Sequence, residues 1–275
     1  MAIPQLKLND GNIIPQFGLG TWQVPNEDAE RVVLEAFEMG YRHIDTAELY
    51  MNEEAVGKAV RSSGLPREEI WVTTKLWNNH RGKREVEAQF EKSLKLLGLD
   101  YIDLYLIHWP APNNGPIEET WETFASLRDR GLVRSIGVSN FDERFLPAIL
   151  NTGIIPAVDQ IELNPQFQQR ATVDVASEYD VKIEAWGPLG RGKIDFDSGV
   201  IGNIAQQLGA TWAQVVLAWH IARGHIVFPK SVHKARVAEN LAATELVLSD
   251  AQLQQIDALD LGEAGRLSGD PALVN

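Results

Sequence analysis

The chain repeats one local pattern: an amphipathic run, a glycine, a few residues, then a short β-rich run. "VVLEAFEMG" leads into "YRHIDT", "FEKSLKLLG" into "LDYIDLYLIHW", "TFASLRDRG" into "LVRSIGVSN", and "VVLAWHIARG" into "HIVFPKS". Glycine ends a helix in the left-handed conformation without steric penalty, so Gly40, Gly98, Gly131 and Gly224 read as helix stops. Apolar residues at helical spacing precede them, as at Phe90, Leu94 and Leu97, and Ile, Val and Tyr follow. "EEIWVTTKLW", "IIPAVDQIELN" and "DVKIEAWGP" fit the same unit, and "PQFGLGTW" opens the series. About eight strands alternating with helices predict an α/β fold, a (β/α)8 TIM barrel. No Pro- or Ser-rich linker interrupts residues 1–275, which predicts a single domain. The leading "LKLNDGNII" reads as a hairpin turning at Asn-Asp-Gly and closing one end of the barrel. An open doubly wound sheet is the alternative, but "GLGTWQVP" does not supply a GxGxxG turn after the first strand.

Charge and composition narrow the partners. A net charge of −13 argues against nucleic acid or a membrane surface, which both call for basic patches. With no cysteine, disulfides and thiolate chemistry are excluded, and a cytoplasmic location is expected. "MAIPQLKLNDGN" does not read as a signal peptide, and "WAQVVLAWHIA" is too short and interrupted to cross a bilayer. His43, His80, His220, His225 and His233 show no metal-ligand spacing, so no metal is expected.

Barrels of this kind carry their active sites at the C-terminal strand ends. In order, those ends present Trp22, Asp45, Lys75, His108, and Ser139 with Asn140. Gln160 lies inside the sixth strand, Trp186 ends the seventh, and Lys230 with Ser231 ends the eighth. Asp45, Lys75 and His108 each follow an apolar run, where a charge is costly unless paired. Any one of them alone reads as a structural ion pair or a satisfied core histidine. Three on consecutive strands, with Tyr50 just after the first, point to function, because a buried ion pair is weak evidence for stability. The four suit proton donation to a carbonyl oxygen. A free phenol titrates near ~10, and a lysine cation within ~4–6 Å would lower that value. Asp45 would hold Lys75 charged, and His108 would hydrogen-bond the oxygen as negative charge builds on it.

Over its whole length the chain resembles the aldo-keto reductases. The likeness rests on "GYRHIDTAELYMNEEAVG", on a stretch ending "RSIGVSNF", and on "FPKSVHKARVAENLAA". Within that family it is most similar to bacterial 2,5-diketo-D-gluconate reductases, sharing "KLWN", "LIHWP", "QIEL" and "WGPLG" in the same order. The resemblance implies that Asp45, Tyr50, Lys75 and His108 are a catalytic tetrad and that the cofactor is NADPH, held without a Rossmann domain. It further implies cofactor contacts from Ser139, Asn140, Gln160, Trp186, Gly187, Leu189 and Gly190, with Lys230, Ser231 and Arg236 on the 2′-phosphate. Glu239 and Asn240 fall at positions near the adenosine. Hydroxyls and amides suit a carboxamide, a flat indole suits the nicotinamide ring, and an arginine fork suits a phosphate. Trp22, Trp77, Asn78 and Trp109 are expected to line the pocket for a small-molecule carbonyl substrate, with the protein a monomer. Met51 stands where close relatives often carry glycine, Asn164 where a histidine is common, and Phe228 where an aliphatic residue is usual. Two other readings stay open: a Schiff-base lyase using Lys75, and a cofactor-sensing module with vestigial chemistry.

Overall fold

The computed structural model of the chain describes residues 3–115 and 117–275. Strands β1 (Gln5–Lys7) and β2 (Ile13–Pro15) pair antiparallel about the Asp-Gly turn, where Asp10 Oδ1 accepts the Asn12 N–H at 3.0 Å. The chain then alternates. In order come β3 (Leu19–Gly20), α1 (Asn26–Met39), β4 (His43–Asp45), α2 (Glu53–Ser62), β5 (Trp71–Leu76) and α3 (Gly82–Leu97). Next are β6 (Ile102–Ile107), α4 (Ile117–Asp129), β7 (Val133–Ser139), α5 (Leu146–Leu150), β8 (Val158–Glu162) and α6 (Arg170–Glu178). The series ends with β9 (Lys182–Trp186), α7 (Gly199–Leu208), α8 (Trp212–Ala222), β10 (Ile226–Val227), α9 (Lys234–Ala242) and α10 (Asp250–Asp257). Gly40 and Gly98 cap α1 and α3 in the left-handed region at φ 105° and 61°, as their position after an apolar run predicts.

Strands β3 to β10 form one 8-stranded parallel sheet in sequence order. Its two edges meet. Gly18 N–H donates to Val227 O at 2.8 Å, and Val227 N–H donates to Gln16 O at 3.0 Å, which turns the sheet into the expected barrel. Successive strand residues enter two different cores, as the two-residue period requires. Val72, Tyr105, Ile136 and Ile161 pack outward with helix residues such as Val33, Phe90 and Phe124. Trp71, Leu104, Leu106, Val158 and Ile226 fill the lumen, where Leu8 and Ile14 of the hairpin join them. Burying a side chain of that size contributes roughly 1.5–3 kcal/mol, which explains why the hairpin docks here. Asn9 and Asn12 fix it in place: Asn9 Nδ2 donates to Pro156 O at 2.8 Å, and Asn12 Nδ2 to Arg134 O at 3.1 Å and Ser135 Oγ at 3.0 Å. Those acceptors lie at the beginnings of β7 and β8, so the hairpin shuts the N-terminal mouth of the barrel. Among the described residues no helix is long and apolar enough to cross a membrane.

Candidate active site

The opposite mouth gathers the polar residues. Asp45 closes β4 and Lys75 sits on β5, both buried with inward side chains. Lys75 Nζ donates to Asp45 Oδ1 at 2.8 Å and Oδ2 at 2.7 Å, and to Thr46 O at 2.8 Å. Its remaining direction points at Tyr50, whose hydroxyl lies 3.4 Å away and whose ring centroid lies 5.0 Å away. Tyr50 ends the 3-10 turn Glu48–Tyr50 just after β4. His108 follows β6, with its backbone N–H donating to Leu76 O at 3.1 Å, and its ring lies 5.9 Å from that of Tyr50. The four side chains expected to act together therefore share one chamber.

Two residues that sequence reading passed over hold the Tyr50 turn. Asn52 is fully buried; its Nδ2 donates to Thr21 O at 3.0 Å and Val24 O at 3.1 Å, and its Oδ1 accepts from Thr46 Oγ1 at 2.7 Å. It ties the loop after β3 to the loop after β4. Glu48 does the same toward β5, accepting Trp77 N–H at 3.0 Å and pairing with His80 Nε2 at 3.0 Å. Met51, at the end of the turn, takes φ 56° and ψ 28°, a left-handed conformation that favours glycine.

Burial governs the charges. Alone it would push the Lys75 ammonium down, but Asp45, Tyr50 and Glu184 outweigh it and hold the cation above its ordinary value. Burial raises Asp45, against the pull of Lys75 and of the Gln160 amide. The Tyr50 phenol is also raised by burial, with Lys75 pulling it down and Asp45 pushing it up. This differs from the lowered phenol expected from Lys75 alone, and the reason is the depth of the hydroxyl: desolvation of the phenolate outweighs one cation at 3.4 Å. His108 falls well below the usual histidine range, first from burial and then from Lys75, so it is a neutral imidazole at neutral pH.

Beside the tetrad runs a hydrogen-bonded chain of the other strand-end residues. Trp186 Nε1 donates to Asn140 Oδ1 at 2.9 Å, Asn140 Nδ2 to Ser139 Oγ at 3.0 Å, and Ser139 Oγ to Gln160 O at 2.7 Å. Gln160 Nε2 then reaches Asp45 Oδ2 and Glu184 Oε2, each at 2.9 Å. Gly187 and Gly190, with Leu189 between, form the loop after β9 at φ 63° and 65°. Lys230 and Arg236 are exposed beyond β10 with no acidic partner among the described residues, and Ser231 Oγ accepts the His233 N–H at 3.1 Å. On α9, Asn240 is buried, while Glu239 Oε1 accepts from Thr211 Oγ1 at 2.8 Å. A cavity of about 600 Å³ lies there, lined by Asp197, Thr211, Trp212 and Glu239, and not over the tetrad.

The expected pocket residues divide. Trp22, 41% exposed, lies 4.9 Å from the Tyr50 ring, and Trp77 lies 5.0 Å from the His108 ring. Trp109 is half-buried. Asn78 is buried, and neither polar atom of its side chain has a partner among the described residues.

Residues 15–261 match the Aldo/keto reductase family. An aldo-keto reductase of Mycolicibacterium smegmatis is 49% identical over 99% of this chain and 98% of its own length. The methylglyoxal reductase DkgA of Escherichia coli K12 is 45% identical over 98% of each chain. Among solved structures, a mutant of Gox0644 in complex with NADPH superposes with a TM-score of 0.95 at 42% identity, covering all of both chains. An aldo/keto reductase from Brucella melitensis gives a TM-score of 0.91 at 46% identity, over 94% of this chain and 99% of that one. With the barrel and its strand-end chamber as described, the chain belongs to the aldo/keto reductase family.

Proposed function

We propose that this NADP-dependent oxidoreductase reduces small aldehydes and ketones, with Tyr50 as the proton donor. The observation that carries the reading is the Asp45–Lys75–Tyr50 chain, which runs from a buried ion pair to a half-buried phenol at the mouth where a substrate carbonyl would enter. The residues present fit NADPH. The exposed cations Lys230 and Arg236, without an acidic partner among the described residues, suit its phosphate, the Gly187–Gly190 loop brings backbone close, and the Asn140 and Gln160 amides with the Trp186 ring suit a nicotinamide. When bound, NADPH supplies the hydride to the carbonyl carbon.

The chain's own groups do the rest. A phenol raised by desolvation keeps its proton at neutral pH, so Tyr50 has one to give to the carbonyl oxygen. As the proton leaves, Lys75 stabilises the phenolate, and Asp45 keeps Lys75 positive and aimed. Neutral His108 donates a hydrogen bond to the same oxygen. The aromatic walls Trp22 and Trp77 exclude water and grip flat or apolar parts of the substrate. The lyase reading finds no support, because Asp45, Thr46 O and Tyr50 take up the donors of Lys75, and its ammonium is held charged.

Methylglyoxal-type aldehydes and diketo sugar acids are the substrates we propose to try first, since a 45% identical relative is named a methylglyoxal reductase. A monomeric, cytoplasmic enzyme built as a single domain over residues 1–275 is the accompanying reading. The deciding experiment is Tyr50→Phe. We expect NADPH to bind as before while NADPH oxidation across a carbonyl panel drops by about 10²–10⁴. A variant turning over at near wild-type rate would remove Tyr50 from its role. Arg236→Ala should weaken NADPH far more than NADH in fluorescence titration; equal losses would remove the phosphate assignment.

A further inference from the structure

Glu184 lies on β9, fully buried, two residues before Trp186 and facing the lumen. No step of the reduction uses it. A carboxyl group in that position carries a desolvation cost that packing does not explain. Its hydrogen bond is specific: Oε2 accepts from Gln160 Nε2 at 2.9 Å, while the other hydrogen of the same amide goes to Asp45 Oδ2 at 2.9 Å. Oε1 has no partner among the described residues. The orientation of the amide is fixed by chemistry, because an amide oxygen turned toward the Asp45 carboxylate would face a like partial charge. With both N–H groups committed to acids, only the Gln160 carbonyl is left to meet a ligand.

We propose that Glu184 is a positioning residue of the reduction site, gripping the Gln160 amide opposite Asp45 so that the Gln160 carbonyl is presented to the cofactor's carboxamide. The idea rests on the reading of Gln160 as a nicotinamide contact. Without Glu184, one amide hydrogen is stranded in a buried chamber, and Asp45 alone is left to hold the amide. The charges facing Glu184 in the lumen are Asp45 from β4 and Lys75 from β5; Asp159 of β8, turned to the other face beside Gln160, is held well up by burial, and β10 presents uncharged Ile226 opposite Glu184. Burial first, and Asp45 second, push Glu184 up to about 8, so it is un-ionised at neutral pH and the chamber holds one balanced pair, Asp45 with Lys75.

The test is NADPH titration by protein fluorescence on wild type, Glu184→Gln, Glu184→Leu and Gln160→Ala. It is combined with thermal unfolding of the cofactor-free proteins between pH 5 and 9. Glu184→Gln keeps an acceptor for the amide and should bind NADPH within about threefold of wild type. Glu184→Leu strands the amide hydrogen and should weaken NADPH by about tenfold or more, as should Gln160→Ala. The folded pKa of Glu184 lies above the unfolded value, so its contribution to stability is lost as pH rises toward about 8. Wild type should therefore lose unfolding temperature across that interval relative to Glu184→Gln. Equal affinity in wild type and Glu184→Leu, with Gln160→Ala impaired, would overturn the role of Glu184 alone. An unimpaired Gln160→Ala would overturn the nicotinamide reading of Gln160 along with it, and both results are independent of whether Tyr50→Phe turns over. Equal weakening in Glu184→Gln and Glu184→Leu would also overturn the proposal, since the amide-to-acceptor contact would then not be what matters.

Discussion

On β5, Trp71 and Lys75 both face the lumen, four residues apart, and they belong to different environments. Trp71 packs with Leu8, Ile14, Leu104, Leu106, Val158 and Ile226 in a dry plug over the hairpin. Lys75 stands among Asp45, Tyr50, Gln160 and Glu184, a group linked by hydrogen bonds and an ion pair. The same walls thus carry a half that stabilises the barrel and a half that stores buried charge against the preference of the fold. The difference teaches where to look for function: in the half whose residues are hardest to justify by packing.

The largest effects should separate the halves cleanly. Lys75→Met leaves Asp45 buried without its cation, which should cost about 3–5 kcal/mol in denaturant unfolding and abolish reduction. Adding Asp45→Asn should restore most of that stability and none of the activity, if the upper half serves the proposed chemistry and not folding. In the lower half, Leu106→Ala should cost about 2–5 kcal/mol through the cavity it opens, with kcat nearly unchanged. A double variant that stays unstable, or a Leu106→Ala enzyme without turnover, would break the division.

A middle-sized effect comes from histidines at the seams. His43 joins the halves, with Nδ1 against Pro15 O at 3.2 Å and Nε2 against Thr73 Oγ1 at 3.1 Å. Burial holds it down to about 3, and burial likewise holds His225 down to about 4. Both folded values lie below the unfolded histidine value near ~6.5, so the unfolded chain binds more protons as the medium acidifies. Their contribution is intact above that value and drains away as pH falls, by about 3 kcal/mol each near pH 4. The unfolding temperature should fall steeply from pH 6.5 to 4, and His43→Gln should flatten the slope; an unchanged slope would show that His43 titrates normally.

What could be read in the sequence follows the same line. Helix-stop glycines and apolar periodicity are local, so the barrel was legible strand by strand, and the hairpin announced itself at Asp10–Gly11. Asp45, Lys75 and His108 were legible because charge interrupts an apolar run. Glu184 gives the same signal in "KIEAWGP", but attention to the strand ends passes over an inward position two residues earlier. Asn52 could not be found this way, since its partners Thr21 O and Val24 O lie about thirty residues away in sequence and an asparagine in a loop is ordinary there. The raised phenol of Tyr50 depends on how deep its hydroxyl sits, which no spacing reveals.

The smallest effect probes the rim of the upper half. Met51 holds a left-handed φ of 56° one residue after Tyr50, with its side chain 83% exposed and so little to gain from packing. That conformation costs a residue with a Cβ roughly 1–2 kcal/mol, and glycine escapes the penalty while losing ~0.5–1 kcal/mol in backbone entropy. Met51→Gly should therefore stabilise the protein by about 1 kcal/mol or less. Asn52 and Glu48 clamp the turn from both sides, so Tyr50 should keep its place and kcat should not change. A fall in kcat with unchanged NADPH affinity would mean that the stiffness of Met51 itself helps aim the phenol, and strain at this mouth would then be functional and not merely tolerated.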